Sequence, residues 1–301
     1  MRRAIPEVPE KLVQAVLAGK VVLFAGSGIS RGVVPPGNGA ARGELPGWAG
    51  LLLGLLARAR ASGHLEPRES TELRKAVKDQ KYLFAAETIK ARMGTRDFYD
   101  ALETIFRDPG LRPAGRHEVI RNIPFAAIVT TNYDKLLESA YATQGQIPAT
   151  YTFDNAPDII SALGHNRFFI LKAHGDIDRK ETVILSERDY RDILYRQPGY
   201  RAALNTIFIT KTVLFVGANL TDVDVKLVLE SVSETFSGRG PGHFALLPEG
   251  ETSGSELLHW RGFFCIQIIP YAASGGHPEV DGFLEALRRR VRERTPQRSR
   301  G

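Results

Sequence analysis

Six short apolar runs punctuate the chain, at 21–25, 125–130, 168–171, 213–216, 244–247 and 264–269. They are nearly continuous in apolar residues rather than alternating, the pattern of strands covered on both faces. Helical periodicity fills the intervals. Leu136, Leu137, Ala140 and Tyr141 form one stripe, and Val225, Leu229 and Val232 recur at similar spacing. Strands alternating with helices predict an α/β fold with a Rossmann-like, doubly wound parallel sheet.

The first two runs lie too far apart for a single crossover. About a hundred residues separate Ala25 from Phe125, and 72–90 and 97–107 read as helices, with Leu83, Ala86 and Ile89 giving one apolar stripe. The expected organisation is one domain over 1–301. It has a Rossmann-like core (about 20–42 and 116–280), a helical insertion (about 43–115) and an arginine-rich C-terminal helix and tail (about 281–301). The Gly/Pro-rich stretch 32–47 reads as a loop into the insertion. The stretch 141–166, with Gly145, Pro148 and Pro157, reads as irregular or as a small lobe.

Composition narrows the chemistry. Cys265 is the only cysteine among 301 residues, which excludes an intramolecular disulfide framework and a four-thiolate zinc ribbon. The histidines are scattered, so no metal site is expected. Forty Lys+Arg against 34 Asp+Glu give a net charge of +6, compatible with anionic ligands or nucleic acid. Arg288, Arg289, Arg290, Arg292, Arg294, Arg298 and Arg300 concentrate it at the C-terminus, either as a solvated helix face or as a contact for DNA or a partner protein. No apolar run approaches the ~18 residues that span a bilayer, and no signal-peptide region follows the start. The expectation is a soluble cytoplasmic protein.

Four polar, small-residue segments follow predicted strands. Ala25-Gly26-Ser27-Gly28-Ile29-Ser30 lets backbone approach a diphosphate and offers successive N–H groups as an anion nest. It lacks the Gly-Lys-Ser/Thr of a P-loop and the third glycine of GxGxxG, so a plain tight turn reads equally well. Thr131-Asn132-Tyr133-Asp134 places an amide and a carboxylate where a strand meets a helix, as ligand groups or as a helix cap. His174-Gly175 puts an imidazole on a turn, as a general base or as a hydrogen-bonded structural residue. Gly217-Ala218-Asn219, with Asp222 nearby, offers close approach and ribose-type hydrogen bonding, or helix capping by Thr221 or Asp222.

In this order the four segments resemble the sirtuin superfamily over about residues 20–270. The match is to its glycine-rich NAD loop, its Thr-x-Asn-x-Asp segment, its His-Gly and its adenosine-ribose loop. The four cysteines of the protein-deacylating branch are absent. Leu45-Pro46-Gly47-Trp48, Thr130-Thr131-Asn132-Tyr133-Asp134 and Val216-Gly217 with Leu220 and Asp222 are similar to the bacterial sirtuin-like NAD hydrolases of anti-phage systems. That resemblance implies an NAD glycohydrolase acting in abortive infection, with NAD as substrate and no metal. Asn132 would orient the ribose and water, and His174 would be the general base. Ala25, Gly26, Ser27, Gly28, Ser30, Thr131, Asp134, Gly217, Ala218, Asn219 and Asp222 would hold the dinucleotide. It also implies a homo-oligomer controlled by a HerA-type translocase ATPase or a short Argonaute-type protein. The competing readings are an NAD-dependent deacylase or ADP-ribosyltransferase, and a non-catalytic NAD-binding or DNA-associated subunit.

Overall fold

A computed structural model describes residues 5–31, 33, 45–106, 111–142, 145, 147–218, 220, 223–236 and 240–295. The chain opens with α1 (Glu10–Leu17) and β1 (Val21–Ala25). Five helices follow: α2 (Trp48–Ala61), α3 (Pro67–Lys78), α4 (Tyr82–Met93), α5 (Thr95–Phe106) and α6 (Gly115–Arg121). Then come β2 (Ala127–Thr130), α7 (Leu136–Ala142), β3 (Ala149–Tyr151), α8 (Ala156–Gly164) and β4 (Phe169–Lys172). The second half holds α9 (Glu187–Arg196), α10 (Pro198–Thr210), β5 (Thr212–Val216) and α11 (Val223–Phe236). It closes with β6 (His243–Pro248), α12 (Gly254–Phe264), β7 (Ile266–Tyr271) and α13 (Pro278–Arg294).

The strands form one parallel sheet of seven, in the order β3-β4-β2-β1-β5-β6-β7. Six of them coincide closely with the apolar runs. β3 lies within 141–166, which the sequence marks as irregular; it is a three-residue edge strand without a buried residue, so no apolar run announces it. The pleat sorts the continuous apolar runs onto two faces. Val22, Phe24, Ala127, Val129, Phe169, Leu171, Val213 and Phe215 face α8, α10 and α11. Val21, Leu23, Ala25, Ile128, Ile170, Leu214 and Val216 face α1, α6 and α13. A third core, built on Leu52, Leu55, Leu56, Ile89, Phe98 and Leu102, belongs to α2–α5 and also takes in Tyr133, Ile177, Val183 and Leu185.

The helix expected over 72–90 is two helices. Gln80 adopts φ +59°, and the N–H groups of Gln80 and Lys81 donate to the carbonyls of Val77 (3.1 Å) and Ala76 (2.9 Å). This pairing stops a helix with a left-handed residue after its cap. The hydrophobic stripe continues across the break, which is why periodicity alone hides it.

The C-terminal arginines divide by face. The stripe Val280, Phe283, Leu284, Leu287 and Val291 of α13 is buried against the sheet. Arg290 bonds the Val8 carbonyl and Glu10, Arg294 bonds Glu10, and Arg288 bonds Glu285, so these three charges tie α13 to α1 and to itself. Arg289 and Arg292 remain exposed, and Arg298 and Arg300 lie outside the described residues. Among the described residues no helix is long and apolar enough to cross a membrane.

Two buried histidines set a pH dependence. Burial holds His243 down at about 4, and burial together with the neighbouring Arg116 holds His117 down at about 4. In the unfolded chain both return to about 6.5. Between these values the unfolded state therefore binds more protons, and folding stability rises with pH. Chemical denaturation at intervals from pH 7.5 to 4.5 is expected to show stability level above about 6.5 and falling below it. A flat profile down to 4.5 would mean that both imidazoles protonate in the folded state.

Candidate active site

The connection leaving β1 runs toward β2 on one side, and the one leaving β5 runs toward β6 on the other, so the topological switch lies between β1 and β5. There the two loops pack backbone against backbone. Gly26 N–H donates to the Val216 carbonyl (3.1 Å) and Gly28 N–H to the Gly217 carbonyl (2.9 Å). A Cβ on Gly26 would stand 2.3 Å from the Gly217 oxygen. Gly217 itself has φ +61°, and a Cβ there would meet the Gly28 backbone at 2.8 Å. Ile29 and Ser30 N–H groups close the 3-10 turn onto the carbonyls of Gly26 and Ser27, both at 3.1 Å. The N–H groups of Gly26, Gly28, Ile29 and Ser30 are thus engaged by the fold, and the nest they were expected to offer an anion is not formed by these four. The glycines supply close approach between two loops, and the residues Ser27, Ser30, Asn132 and Asp134 bring polar side chains to the first cleft.

β2 ends in a hydrogen-bonded chain. Thr130 Oγ1 donates to the Ala25 carbonyl (2.9 Å) and accepts from Asn132 N–H (3.1 Å). Asn132 Nδ2 then donates to Ser30 Oγ (3.1 Å), and Ser30 Oγ donates to Asp134 Oδ2 (2.8 Å). Asp134 Oδ1 accepts from Leu136 N–H (3.1 Å), so the carboxylate caps α7 as well as facing the cleft. The one carboxylate is thus both a helix cap and part of the cleft wall. Asn132 is only 6% exposed, and its Oδ1 is buried with no hydrogen-bond partner. Beneath the turn, the fully buried Lys172 ammonium donates to the carbonyls of Tyr133 (3.1 Å) and Asp134 (2.7 Å) and reaches Glu138 Oε1 (3.2 Å). Lys172 ends an apolar run, and nothing in the sequence marks its ammonium as buried.

His174 follows β4 and is 1% exposed. Its Nε2 lies 3.0 Å from the Tyr190 hydroxyl, and its ring meets Trp48 edge-on at 6.4 Å. Gly175, at φ +89°, turns the chain so tightly that a Cβ would stand 2.0 Å from the Thr182 carbonyl oxygen.

Two clefts open at the carboxyl edge of the sheet. The first, about 630 Å³ including its solvent-open mouth, is lined by Gly26, Ser27, Ser30, Thr131, Asn132, Asp134, Gly217 and Ala218, with Trp48, Leu51 and Phe106 as an apolar wall. The second, about 1160 Å³, is lined by Ser27, Gly28, Gly217, Ala218, Arg31, Trp260, Tyr271 and His277 among others. Ser27, Gly217 and Ala218 border both. His174 lines neither; it borders a small apolar cavity that shares Thr131 with the first cleft. Ala25 is buried at the end of β1 and accepts from Thr131 N–H (3.2 Å), a structural place rather than a cleft-lining one. Asn219 and Asp222 lie outside the described residues. Arg31, which stands where the third glycine of a GxGxxG pattern would fall, brings a guanidinium to the second cleft beside His277 Nε2 (2.7 Å). Among the described residues no group of three or more His, Cys, Asp or Glu is placed to hold a metal ion.

Residues 126–265 match the family model of the SIR2-like domain. This segment carries Asn132, His174 and Gly217, while the Gly26–Ser30 loop precedes it. The chain is similar to the NAD(+) hydrolase ThsA of Bacillus cereus (strain MSX-D12), 27% identical over 142 residues, 47% of this chain and 29% of that protein. It is also similar to the NAD(+) hydrolase ThsA of Cytobacillus dafuensis, 25% identical over 128 residues, 42% of this chain and 26% of that protein. Its similarity to defense-associated sirtuin 2 of Bacillus subtilis runs over 232 residues at 24% identity, 76% of this chain and 21% of that protein. The matched part of the chain spans less than a third of the length of each of these relatives.

The backbone contact at the switch predicts unequal glycine costs. Gly217→Ala combines a left-handed backbone with a 2.8 Å collision, whereas Gly250→Ala, at φ +86°, meets nothing within 4 Å. Urea unfolding is expected to show a loss of about 1 kcal/mol for Gly250→Ala and at least about twice that for Gly217→Ala. Equal losses would show that the two loops separate at little cost.

Proposed function

We propose that this sirtuin-like chain is an NAD glycohydrolase, cleaving the nicotinamide–ribose bond of NAD with water to give ADP-ribose, nicotinamide and a proton. The observation that carries this reading is the unpartnered Oδ1 of Asn132, buried at the first cleft beside Ser30 and Asp134. A buried amide oxygen without a donor costs about 1–3 kcal/mol, and a ribose hydroxyl or the attacking water would supply that donor. The names of the relatives, NAD(+) hydrolase and defense-associated sirtuin, support the same substrate and a role in defence.

The two clefts suit a two-lobed dinucleotide. In this reading the nicotinamide ribose occupies the Ser30–Asn132–Asp134 cleft, and the adenosine half occupies the larger one. The diphosphate crosses at Ser27 and Gly217, within reach of the positive charge of Arg31. The leaving nicotinamide takes the electron pair of the C1′–N bond and loses its pyridinium charge. The ribose carbon becomes oxocarbenium-like, and the Asp134 carboxylate stabilises that developing charge. Water then bonds to C1′, and its proton passes to His174 directly or through a ribose hydroxyl. Because Trp48 and Thr131 lie between the first cleft and His174, a shift of Trp48 or a ribose seated past Thr131 brings the imidazole into play. Conditional activity in a cell requires control, and self-association or a partner ATPase supplies it in this reading.

Asn132→Ala and His174→Ala are each expected to lower NAD turnover at least 10²-fold while the circular dichroism spectrum stays unchanged. Nicotinamide release followed by chromatography measures this directly. If His174→Ala kept more than about a tenth of wild-type turnover, the general-base role would be lost. The donor set on the described residues also predicts that treatment with EDTA leaves turnover unchanged. Loss of cleavage restored by zinc or magnesium would overturn the metal-free reaction.

A further inference from the structure

We propose that Tyr190 is a positioning residue for His174, its phenol fixing the orientation and tautomer of the imidazole through Nε2. The inference rests on the hydrolase reading for its kinetic consequence, but the contact itself is independent of it. Tyr190 Oη lies 3.0 Å from His174 Nε2, and the two rings meet edge to face at 5.4 Å and 77°. Both side chains are essentially out of water, at 3% and 1% exposure. Around them is the core formed by Ile193, Tyr200, Leu204 and Phe208. A hydroxyl in such surroundings is costly unless it is hydrogen-bonded, so a phenylalanine would serve packing alone. What the hydroxyl adds here is a bond to a ring nitrogen.

The chemistry gives that bond a consequence. A neutral imidazole has one donor and one acceptor nitrogen, and a partner on one of them biases which nitrogen carries the proton. A phenol can accept from Nε2–H or donate to an Nε2 lone pair, so it can remain bonded as the ring gains and loses a proton.

The phenol is itself held rigidly. Tyr190 lies in the first turn of α9, whose N-terminus is closed by Ser186 accepting from Asp189 N–H. Asp189 also accepts from the N–H groups of Leu185 (3.2 Å) and Ser186 (3.0 Å). Lys90 of α4 clamps the same carboxylate at 2.8 and 3.1 Å. Just upstream, Ile184 N–H donates to the His174 carbonyl (2.9 Å), while the Ile184 carbonyl accepts from Tyr133 Oη (2.5 Å). The segment that delivers Tyr190 is therefore tied to the backbone of His174, to the residue after Asn132 and to the helices of the third core.

The test is Tyr190→Phe, which removes one oxygen and keeps the ring. Two readouts are taken on the full chain. The first is the kinetics of NAD cleavage across pH. The expected result is a kcat about tenfold lower, a KM within threefold of wild type, and an acid limb of kcat displaced by at least half a pH unit. The second is the ring ¹⁵N NMR spectrum of His174, assigned through the His174→Ala variant, in which the tautomer balance is expected to change. Wild-type kcat, an unmoved acid limb and an unchanged ¹⁵N spectrum would overturn the proposal. So would a rise in KM alone, which marks Tyr190 as a packing residue. If the wild-type chain fails to cleave NAD, the hydrolase reading falls, and the ¹⁵N spectrum still decides whether Tyr190 orients His174.

Discussion

The contact between the Gly28 N–H and the Gly217 carbonyl is the constraint on which the rest of this architecture is hung. It joins the loops of the two central strands at the point where the chain diverges to opposite edges of the sheet. Loops this close admit no side chain between them, so Gly26, Gly28 and Gly217 are demanded by the fold before any ligand is considered. Their closeness makes Ser27, Gly217 and Ala218 the shared border of two clefts, and so sets where a two-lobed ligand would cross. The buried Arg116 reinforces the junction from behind, donating to the Gly28 carbonyl (2.9 Å) and the Gly276 carbonyl (3.0 Å) while pairing with Asp281.

From that junction the polar chemistry is assembled by hydrogen bonds across strands that are distant in sequence. Ser30 bridges Asn132 and Asp134, which sit a hundred residues later in the chain. Lys172, two residues before His174, holds the carbonyls of the Asn132 turn. Lys135, on that same turn, pairs with Asp176 and Asp178 beyond the histidine. Two carboxyl-edge loops are thereby fastened to each other by lysines acting in opposite directions. A buried ammonium is tolerable only because its acceptors are in place, so the network is cooperative. Two buried oxygens among its members lack a partner, Glu138 Oε2 and Asn132 Oδ1, and of the two residues only Asn132 lines the first cleft.

The helices between β1 and β2 do more than cover the sheet. Their core includes Tyr133, Val183 and Leu185 from the site loops, and Trp48 at the start of α2 contributes to the cleft wall while touching the His174 ring edge-on. Lys90 reaches from α4 to the start of α9. Movement of these helices would therefore be felt at both Asn132 and His174, through apolar packing in one case and a hydrogen-bonded chain in the other.

How much of this was written in the chain follows from the range of the forces involved. Apolar runs and their spacing determine the parallel sheet, because a strand buried on both faces must be apolar at nearly every position. β3 escaped, since an edge strand without a buried residue carries no such signature. The break at Gln80 escaped too, because a left-handed cap can be made by glutamine and the stripe runs on regardless. Strand-end residues such as Asn132, Asp134 and His174 stood out by type and order, in a resemblance that the SIR2-like match over 126–265 supports. Only the tertiary structure decided what each one does. Spacing along the chain cannot show that the loop glycines face each other or that Asp134 is both cap and cleft wall. Nor can it show that Lys172 points inward, or that Tyr190 meets His174. Those facts depend on side chains brought together by sheet order, and hydrogen bonds act over about 3 Å in space whatever the separation in sequence.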